Sequence, residues 1–516
     1  MKRIIASFII TTIGISAFAQ GEFDALKYNQ TDVNGTARYM GMGGAFGALG
    51  GDPSSISINP AGLGVYRSSE FSITSGVLNN EVKSTLNETS STDNRYNVPL
   101  TNMSYVIAFG GNSDKTSGIV NSNFAITFNK LKNFNRNITI NGGPQNSSMT
   151  QYMANFTNGL PEGALQFNDS LGYNPFDNVQ VPWLSVLAYQ GYLINPIDSL
   201  NNWGSLLNSG ETVRPTYTLS ESGYINEWAF SYAANISNKI YLGASLGLQD
   251  IDYSLTSQYS ETFENGGGFS LTNHFRTTGS GINFKVGTIL RPLNFLRIGL
   301  SYSTPTFLSL KDTYSANISS TTNTDHYVET PVSGDGITYK IQGPTQVNAS
   351  LAFILGKKGI ISVDYGFTDY TSMILSNDNN MSAGFVDENQ SINNSLQDTH
   401  SLKIGAEIKL TDNFALRVGY GMVTPATDKN ASKVITKFNV DNINANTRTD
   451  PEYFLDNNTN YYSGGFGYRE NNWFFDVAYM LKNNNQDFYA YNLNGASKAT
   501  VNTLSNNFVA TLGWKF

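Results

Sequence analysis

The chain has 516 residues, of which 14% are charged, 40% apolar and 13% aromatic; it holds 48 Gly, 29 Tyr and 31 Phe, no Cys, and a net charge of -8. That balance excludes a nucleic-acid partner, which needs clustered Lys and Arg, and a disordered chain, which is poor in aromatics. The lack of Cys excludes disulfides, thiolate metal sites, a cysteine nucleophile and an N-terminal lipidated cysteine. Aromatic residues set among Gly, Ser, Thr and Asn favour strands over helices.

The first element is an address. Lys2 and Arg3 precede an apolar run from Ile4 to Ile15, and Ala17-Phe18-Ala19 forms a small-x-small cleavage pattern. Residues 1–19 therefore read as a Sec signal peptide, because the apolar run is too short to span a bilayer. No later stretch reaches ~18 uninterrupted apolar residues, so any membrane crossing must be made by strands.

Residues 20–67 do not alternate. Between Gly35 and Val65 the chain is rich in Gly, Ala and Ser and holds few charges, which lets backbone approach backbone. Asp52-Pro53 makes an N-cap and first-turn pair for a short helix that ends by Asn59-Pro60. Gly41, Gly43, Gly44 and Gly47 do not fit a dinucleotide fingerprint, and no strand–turn–helix unit surrounds them. A compact plug is the reading for this segment.

From residue 68 the chain alternates with period 2. Leu402, Ile404, Ala406, Ile408 and Leu410 interleave with Lys403, Gly405, Glu407 and Lys409; Phe414, Leu416, Val418, Tyr420 and Met422 interleave with Ala415, Arg417, Gly419 and Gly421. Each strand thus has one apolar and one polar face. Fourteen strands are expected, over 68–79, 99–110, 117–130, 224–236, 239–260, 268–290, 295–315, 335–355, 358–371, 399–410, 413–424, 458–469, 472–490 and 504–516. Connections after even-numbered strands are short; those after odd-numbered ones are mostly long, up to an extracellular insert over 144–222. An even strand count with short turns at one end is the pattern of an all-β, 14-stranded antiparallel transmembrane β-barrel with an N-terminal hatch in its lumen. The barrel is expected over 68–516. Lys285, Arg297, Asp364, Lys403, Glu407, Arg417 and Asp476 fall on polar faces and are expected to pair inside the lumen, since basic residues facing lipid at midplane cost ~2–4 kcal/mol each. The last strand puts Phe508, Ala510, Leu512, Trp514 and Phe516 on one face and stops on an aromatic. It resembles the C-terminal signal by which the barrel assembly machinery reads outer-membrane proteins.

The run Gly41 to Leu49 followed by Asn59-Pro60-Ala61-Gly62-Leu63 resembles the N-terminal hatch of the FadL/TodX family of outer-membrane transporters for long-chain fatty acids and other hydrophobic compounds. Tyr302-Ser303-Thr304-Pro305-Thr306 and Val363-Asp364-Tyr365 look like barrel-strand motifs of that family, in a Bacteroidetes-like branch whose members sometimes carry a hemin-receptor label. The resemblance implies passive, hatch-gated diffusion of a hydrophobic small molecule without a cofactor. It assigns Asn59, Pro60 and Ala61 to the hatch and its gating. Phe23, Tyr39, Met42 and Phe46 are candidates for an inner pocket. Met153 and Phe156, at helical spacing in the insert, are candidates for an outer groove. Expected surroundings are outer-membrane lipid and lipopolysaccharide, with assembly through Phe516. The alternatives are a hemin-binding receptor, a general porin and a structural or adhesin barrel. Three scattered histidines, His274, His326 and His400, give no catalytic constellation, so no enzyme and no metal site is expected.

Overall fold

Tight turns with two successive left-handed residues set the strand pairing. Asn87 and Glu88 take φ of 47° and 66°, and Ser237 and Asn238 take 53° and 58°. Such pairs form the hairpin turn whose twist matches that of the strands it joins. The computed structural model describes residues 21–110, 116–178, 180–321, 324–331, 336–377, 382, 385–433 and 447–516. The signal peptide expected over 1–19 lies outside them.

Fourteen strands close an antiparallel barrel. In chain order they are β1 (Glu70–Leu86), β2 (Thr89–Asn97 and Leu100–Phe109), β3 (Ile119–Asn133 and Arg136–Asn141), β4 (Val213–Ile236), β5 (Ile240–Phe263), β6 (Gly268–Leu293) and β7 (Leu296–Ser303 and Phe307–Thr321). They continue with β8 (Asp325–Glu329, Ile337–Gln342 and Gln346–Leu355), β9 (Gly359–Thr368 and Ile374–Ser376), β10 (Thr399–Lys409), β11 (Phe414–Val423), β12 (Tyr453–Glu470), β13 (Trp473–Tyr489) and β14 (Lys498–Lys515). Each pairs with the next, and β1 pairs with β14 from Glu70↔Lys515 to Thr85↔Thr500, so the sheet has no free edge. A closed sheet satisfies every backbone polar group within itself, which is what a strand protein needs in lipid.

The described helices lie off the wall. Helix α1 (Glu22–Asn29) and α2 (Ala37–Gly41) belong to the segment before β1; α3 (Met149–Thr157) and α4 (Trp183–Gln190) lie between β3 and β4, and α5 (Val386–Ser395) between β9 and β10. No helix among the described residues is long and apolar enough to cross a membrane.

The alternation changes phase part-way along the strands. Near the short-turn end the apolar residues point outward: Leu242, Leu246 and Leu248 on β5, and Ile282, Phe284 and Val286 on β6, are exposed. Toward the long-loop end the apolar residues are the inward ones: Ile251, Tyr253 and Tyr259 on β5, and Phe269, Leu271 and Phe275 on β6, are buried in one large core. Helices α3 and α4 cap that core. Outward apolar residues suit lipid, and inward ones suit a protein standing in water. The phase switch therefore marks where the barrel leaves the bilayer.

This extension lengthens several strands beyond their expected ends. β1 and β2 run on to the turn at Asn87-Glu88 instead of ending in a long connection over 80–98. β4 begins at Val213, so the insert expected over 144–222 is shorter than its reading. Outside the bilayer, Asn79, Glu81, Lys83 and Thr85 face out from β1, and the lipid-facing signal that defined the other strands is lost.

Phe516 is 57% exposed, lies with its ring centroid 6.0 Å from that of Tyr105, and its N–H donates to Ser69 O at 3.0 Å. Leu300, on the outward face of β7, is 54% exposed. Leu300→Arg is expected to lower barrel stability by ~2–4 kcal/mol, read as a shifted denaturant midpoint in lipid vesicles; no shift would place this face away from hydrocarbon.

Candidate functional site

The segment before β1 packs against the barrel strands and is held together by a chain of caps. Thr36 caps α2 by accepting from Tyr39 N at 3.1 Å and donates to Asp52 Oδ2 at 2.7 Å. Asp52 caps a 3₁₀ turn at Pro53–Ser57 by accepting from Ser54 N at 2.9 Å. Asn59 caps a second turn at Pro60–Val65 by accepting from Ala61 N at 3.1 Å. Pro53 and Pro60 occupy first-turn positions, where no N–H is missed.

The wall meets this segment with glycine. A Cβ on Gly287 would lie 2.0 Å from Asn59 Oδ1, on Gly299 2.4 Å from Gly47 O, on Gly405 2.4 Å from Met42 O, and on Gly419 2.1 Å from Gly43 N. None of these approaches admits a side chain. Asn59 Nδ2 donates to Gly47 O at 2.7 Å and to Thr288 O of β6 at 3.1 Å, which ties the segment to itself and to the wall.

Charges complete the attachment. Arg38 Nε donates to Glu407 Oε2 at 2.9 Å and Arg38 Nη2 to Glu407 Oε1 at 3.0 Å. Glu407 also pairs with Arg417, and Arg417 with Asp476, at 2.7 and 2.6 Å. Asp364 Oδ2 accepts from Gly47 N at 2.7 Å, Arg297 donates to Leu49 O, and Lys285 pairs with Glu227 at 2.9 Å. The polar-face charges thus face inward, as the alternation required.

Above this attachment lies a cavity of about 290 Å³ between the N-terminal segment and the wall. The segment supplies Phe23, Leu26, Lys27 and Val33; the wall supplies Leu78, Asn80, Phe134, Arg136, Leu219, Tyr453 and Met480, among others. The volume is at the small end of the range for small-molecule pockets. Ala426, Lys433, Arg448 and Asp450, from the connection between β11 and β12, contribute to its lining. Arg448 Nη1 donates to Asp24 Oδ2 of α1 at 2.9 Å and also pairs with Asp450. Thr449 N donates to Tyr314 Oη at 2.8 Å, and Lys433 bridges to Asp450 at 3.0 Å. Burial pushes the Asp24 carboxyl up, but Arg448, Lys27 and Lys433 together outweigh it and hold it below the ordinary carboxylate range. The clamp is therefore an ion pair.

Phe23 lines the cavity and packs against Tyr453 with centroids 5.7 Å apart. Tyr39, Met42 and Phe46 are buried where the segment packs on the wall, and are not in the cavity lining. Met153 and Phe156 are buried in the core beneath α3, also away from the lining. Asn59, Pro60 and Ala61 sit at the contact with β5 and β6. The Asp24–Arg448 pair escaped the sequence reading because no local spacing links residues 424 positions apart; Asp52 was legible as a cap, but its Thr36 partner was not. Among the described residues no group of three or more His, Asp or Glu could hold a metal, and none of the three histidines lines the cavity.

The comparisons agree with this architecture. Residues 225–436 match the family model for outer membrane protein transport proteins (OMPP1/FadL/TodX), which bears out the resemblance read from the sequence. A Pseudomonas aeruginosa FadL homologue is similar to this chain with a TM-score of 0.52 at 11% identity, covering 95% of this chain and 100% of its own. A monoaromatic hydrocarbon channel, the TodX deltaS2S3 mutant, gives 0.51 at 12%, covering 94% and 100%. The Pseudomonas putida toluene transporter TodX gives 0.49 at 12%, covering 95% and 100%. At these identities the first two establish a shared fold. No curated protein matches the chain in sequence.

The chain has no native Cys, and Ala48 is fully buried. Gly299→Val, which drives side-chain atoms into Gly47, is expected to speed thiol labelling of an Ala48→Cys variant at least several-fold while the barrel still forms. Unchanged labelling would show that the segment does not depend on that contact. A pH dependence is expected from Glu22 and Glu388. Burial pushes Glu22 up to about 7, opposed by its backbone hydrogen bond and Lys433. Burial also pushes Glu388 up to about 7, with Asp387 and Glu22 adding to it. A carboxyl raised on docking stabilises the docked state below its ordinary value of about 4.5, and that contribution is lost as pH rises through about 7. Amide exchange in α1, corrected for its intrinsic pH dependence, should therefore rise through pH ~7. Glu22→Gln should weaken that rise; an unaltered rise would place the titration elsewhere.

Proposed function

We propose that this barrel, an outer-membrane β-barrel with the OMPP1/FadL/TodX signature, is a passive channel for hydrophobic and amphipathic small molecules. Long-chain fatty acids are the first candidates, and the N-terminal segment is the hatch. The observation that carries this reading is the placement of the cavity. It is bounded by α1, by the wall and by the ion-paired connection that carries Arg448, so a ligand inside it touches the segment that would have to shift for release. One structurally similar protein is a monoaromatic hydrocarbon channel.

The route has three steps. A ligand enters from the long-loop end, where apolar side chains line the inside of the strands. It settles against Phe23 and Leu26. It leaves when the segment shifts, which requires breaking the bonds from Asn59 to Gly47 and Thr288. No nucleotide or ion gradient is needed, because transfer follows the ligand's own gradient. Asn59, Pro60 and Ala61 serve as the hinge of the hatch.

The test is uptake by vesicles carrying the protein, with oleate compared against glucose. Oleate uptake without matching glucose flux is expected; glucose flux alone would make the barrel a porin. Asn59→Ala removes a cap worth ~1 kcal/mol together with a wall contact. Oleate uptake should fall several-fold at unchanged membrane level; unaltered uptake would remove the gating role.

A further inference from the structure

The cavity wall is not the wall of a hydrocarbon pocket. β14 presents Thr503, Ser505 and Asn507 to it, and β1 presents Asn80 beside them. Asn80 pairs in register with Ser505, and Val82 with Thr503, so Asn80 and Thr503 are diagonal neighbours on one inner face. Both are more than nine-tenths buried, at 6% and 7% exposure. Asn80 Nδ2 donates to Asn135 O. Asn80 Oδ1 and Thr503 Oγ1 have no hydrogen-bond partner among the described residues. A buried polar group without a partner is costly, and such groups in a folded chain call for a partner from outside it. Both oxygens have almost no accessible surface in this structure, but their residues lie side by side in the cavity lining, so a turn of either side chain is what would bring its oxygen to a ligand. The apolar contribution comes both from the N-terminal segment, through Phe23, Leu26 and Val33, and from the wall, through Leu78, Leu219 and Met480.

We propose that the cavity takes an amphiphile that carries a hydrogen-bond donor along its body, a hydroxyl or an amide N–H beyond its head group, held by Asn80 and Thr503. This rests on reading the cavity as part of the ligand path, and it narrows that reading. The apolar side chains accept the ligand's hydrocarbon, while the two strand residues select for the donor. A plain hydrocarbon or a monoaromatic ring leaves both groups unpaired and binds poorly. A site built to hydrogen-bond a ligand hydroxyl discriminates strongly against the analogue that lacks it.

The full chain in lipid nanodiscs, which avoids competition from detergent, is titrated with decanoate, 3-hydroxydecanoate, 10-hydroxydecanoate and toluene. At least one hydroxylated acid is expected to bind about tenfold more tightly than decanoate, the factor that one well-placed hydrogen bond supplies. In the double variant Asn80→Leu with Thr503→Val that preference, taken as the ratio of the two affinities within the same variant, should fall below about threefold. Equal affinity for decanoate and both hydroxylated acids in the unsubstituted protein overturns the proposal by itself, and does not depend on the variant folding. A preference that survives the double substitution also overturns it, and so does tightest binding of toluene. Binding of decanoate without preference leaves the channel reading standing and removes only this inference; no binding by any of the four removes both.

Discussion

The N-terminal segment and the barrel wall meet backbone to backbone, and that approach constrains the rest of the molecule. Side chains on the inner face at Gly287, Gly299, Gly405 and Gly419 would overlap atoms of Asn59, Gly47, Met42 and Gly43. The segment is itself rich in glycine for the same reason: Gly43 and Gly44 take positive φ, and both sides of the contact are stripped of bulk. Contact at this distance lets wall groups reach main-chain groups directly. Asp364 accepts from Gly47 N, and Arg297 donates to Leu49 O. The attachment thus combines these hydrogen bonds and the close backbone approach with apolar burial, in which Met40, Met42, Phe46 and Leu49 pack with Ala352, Tyr461 and Met480 of the wall.

A second constraint comes from the two surroundings of the strands. One strand crosses lipid and then stands in water, and its side-chain direction cannot change because the period is fixed at two. The sequence changes which parity is apolar. Leu246 and Leu248 face out, whereas Tyr253 and Tyr259, further along the same strand, face in. The inner face consequently has a polar, charged level at Glu407, Arg417 and Asp476 and an apolar level beneath α3 and α4. The cavity lies between α1 and the wall, and its lining mixes both characters.

Four parts of the chain far apart in sequence line that cavity. Asp24 comes from the first described helix, Arg448 from a connection near the end, and Asn80 and Thr503 from the two strands that close the barrel. The Arg448–Asp24 pair joins the connection between β11 and β12 to α1. Buried ion pairs of this kind add little net stability, so its effect is on geometry, holding α1 against that connection.

The barrel was legible from the sequence because lipid imposes a period-2 pattern on every strand, and that pattern survives without any knowledge of neighbours. On β10 the alternation of Ile404, Ala406 and Ile408 with Gly405 and Glu407 is enough to decide which side faces lipid. The caps at Asp52 and Asn59 were legible for the same local reason, since Asx residues before proline signal a turn within three positions. The extensions of β1, β2 and β4 beyond the bilayer were not, because there the apolar parity reverses and the outward residues become polar. Nor were the partners of the inner glycines, the Arg448–Asp24 clamp or the placement of Asn80 beside Thr503. Those depend on the closure of β1 against β14 and on the path of a segment through the lumen, distances that only the folded chain sets.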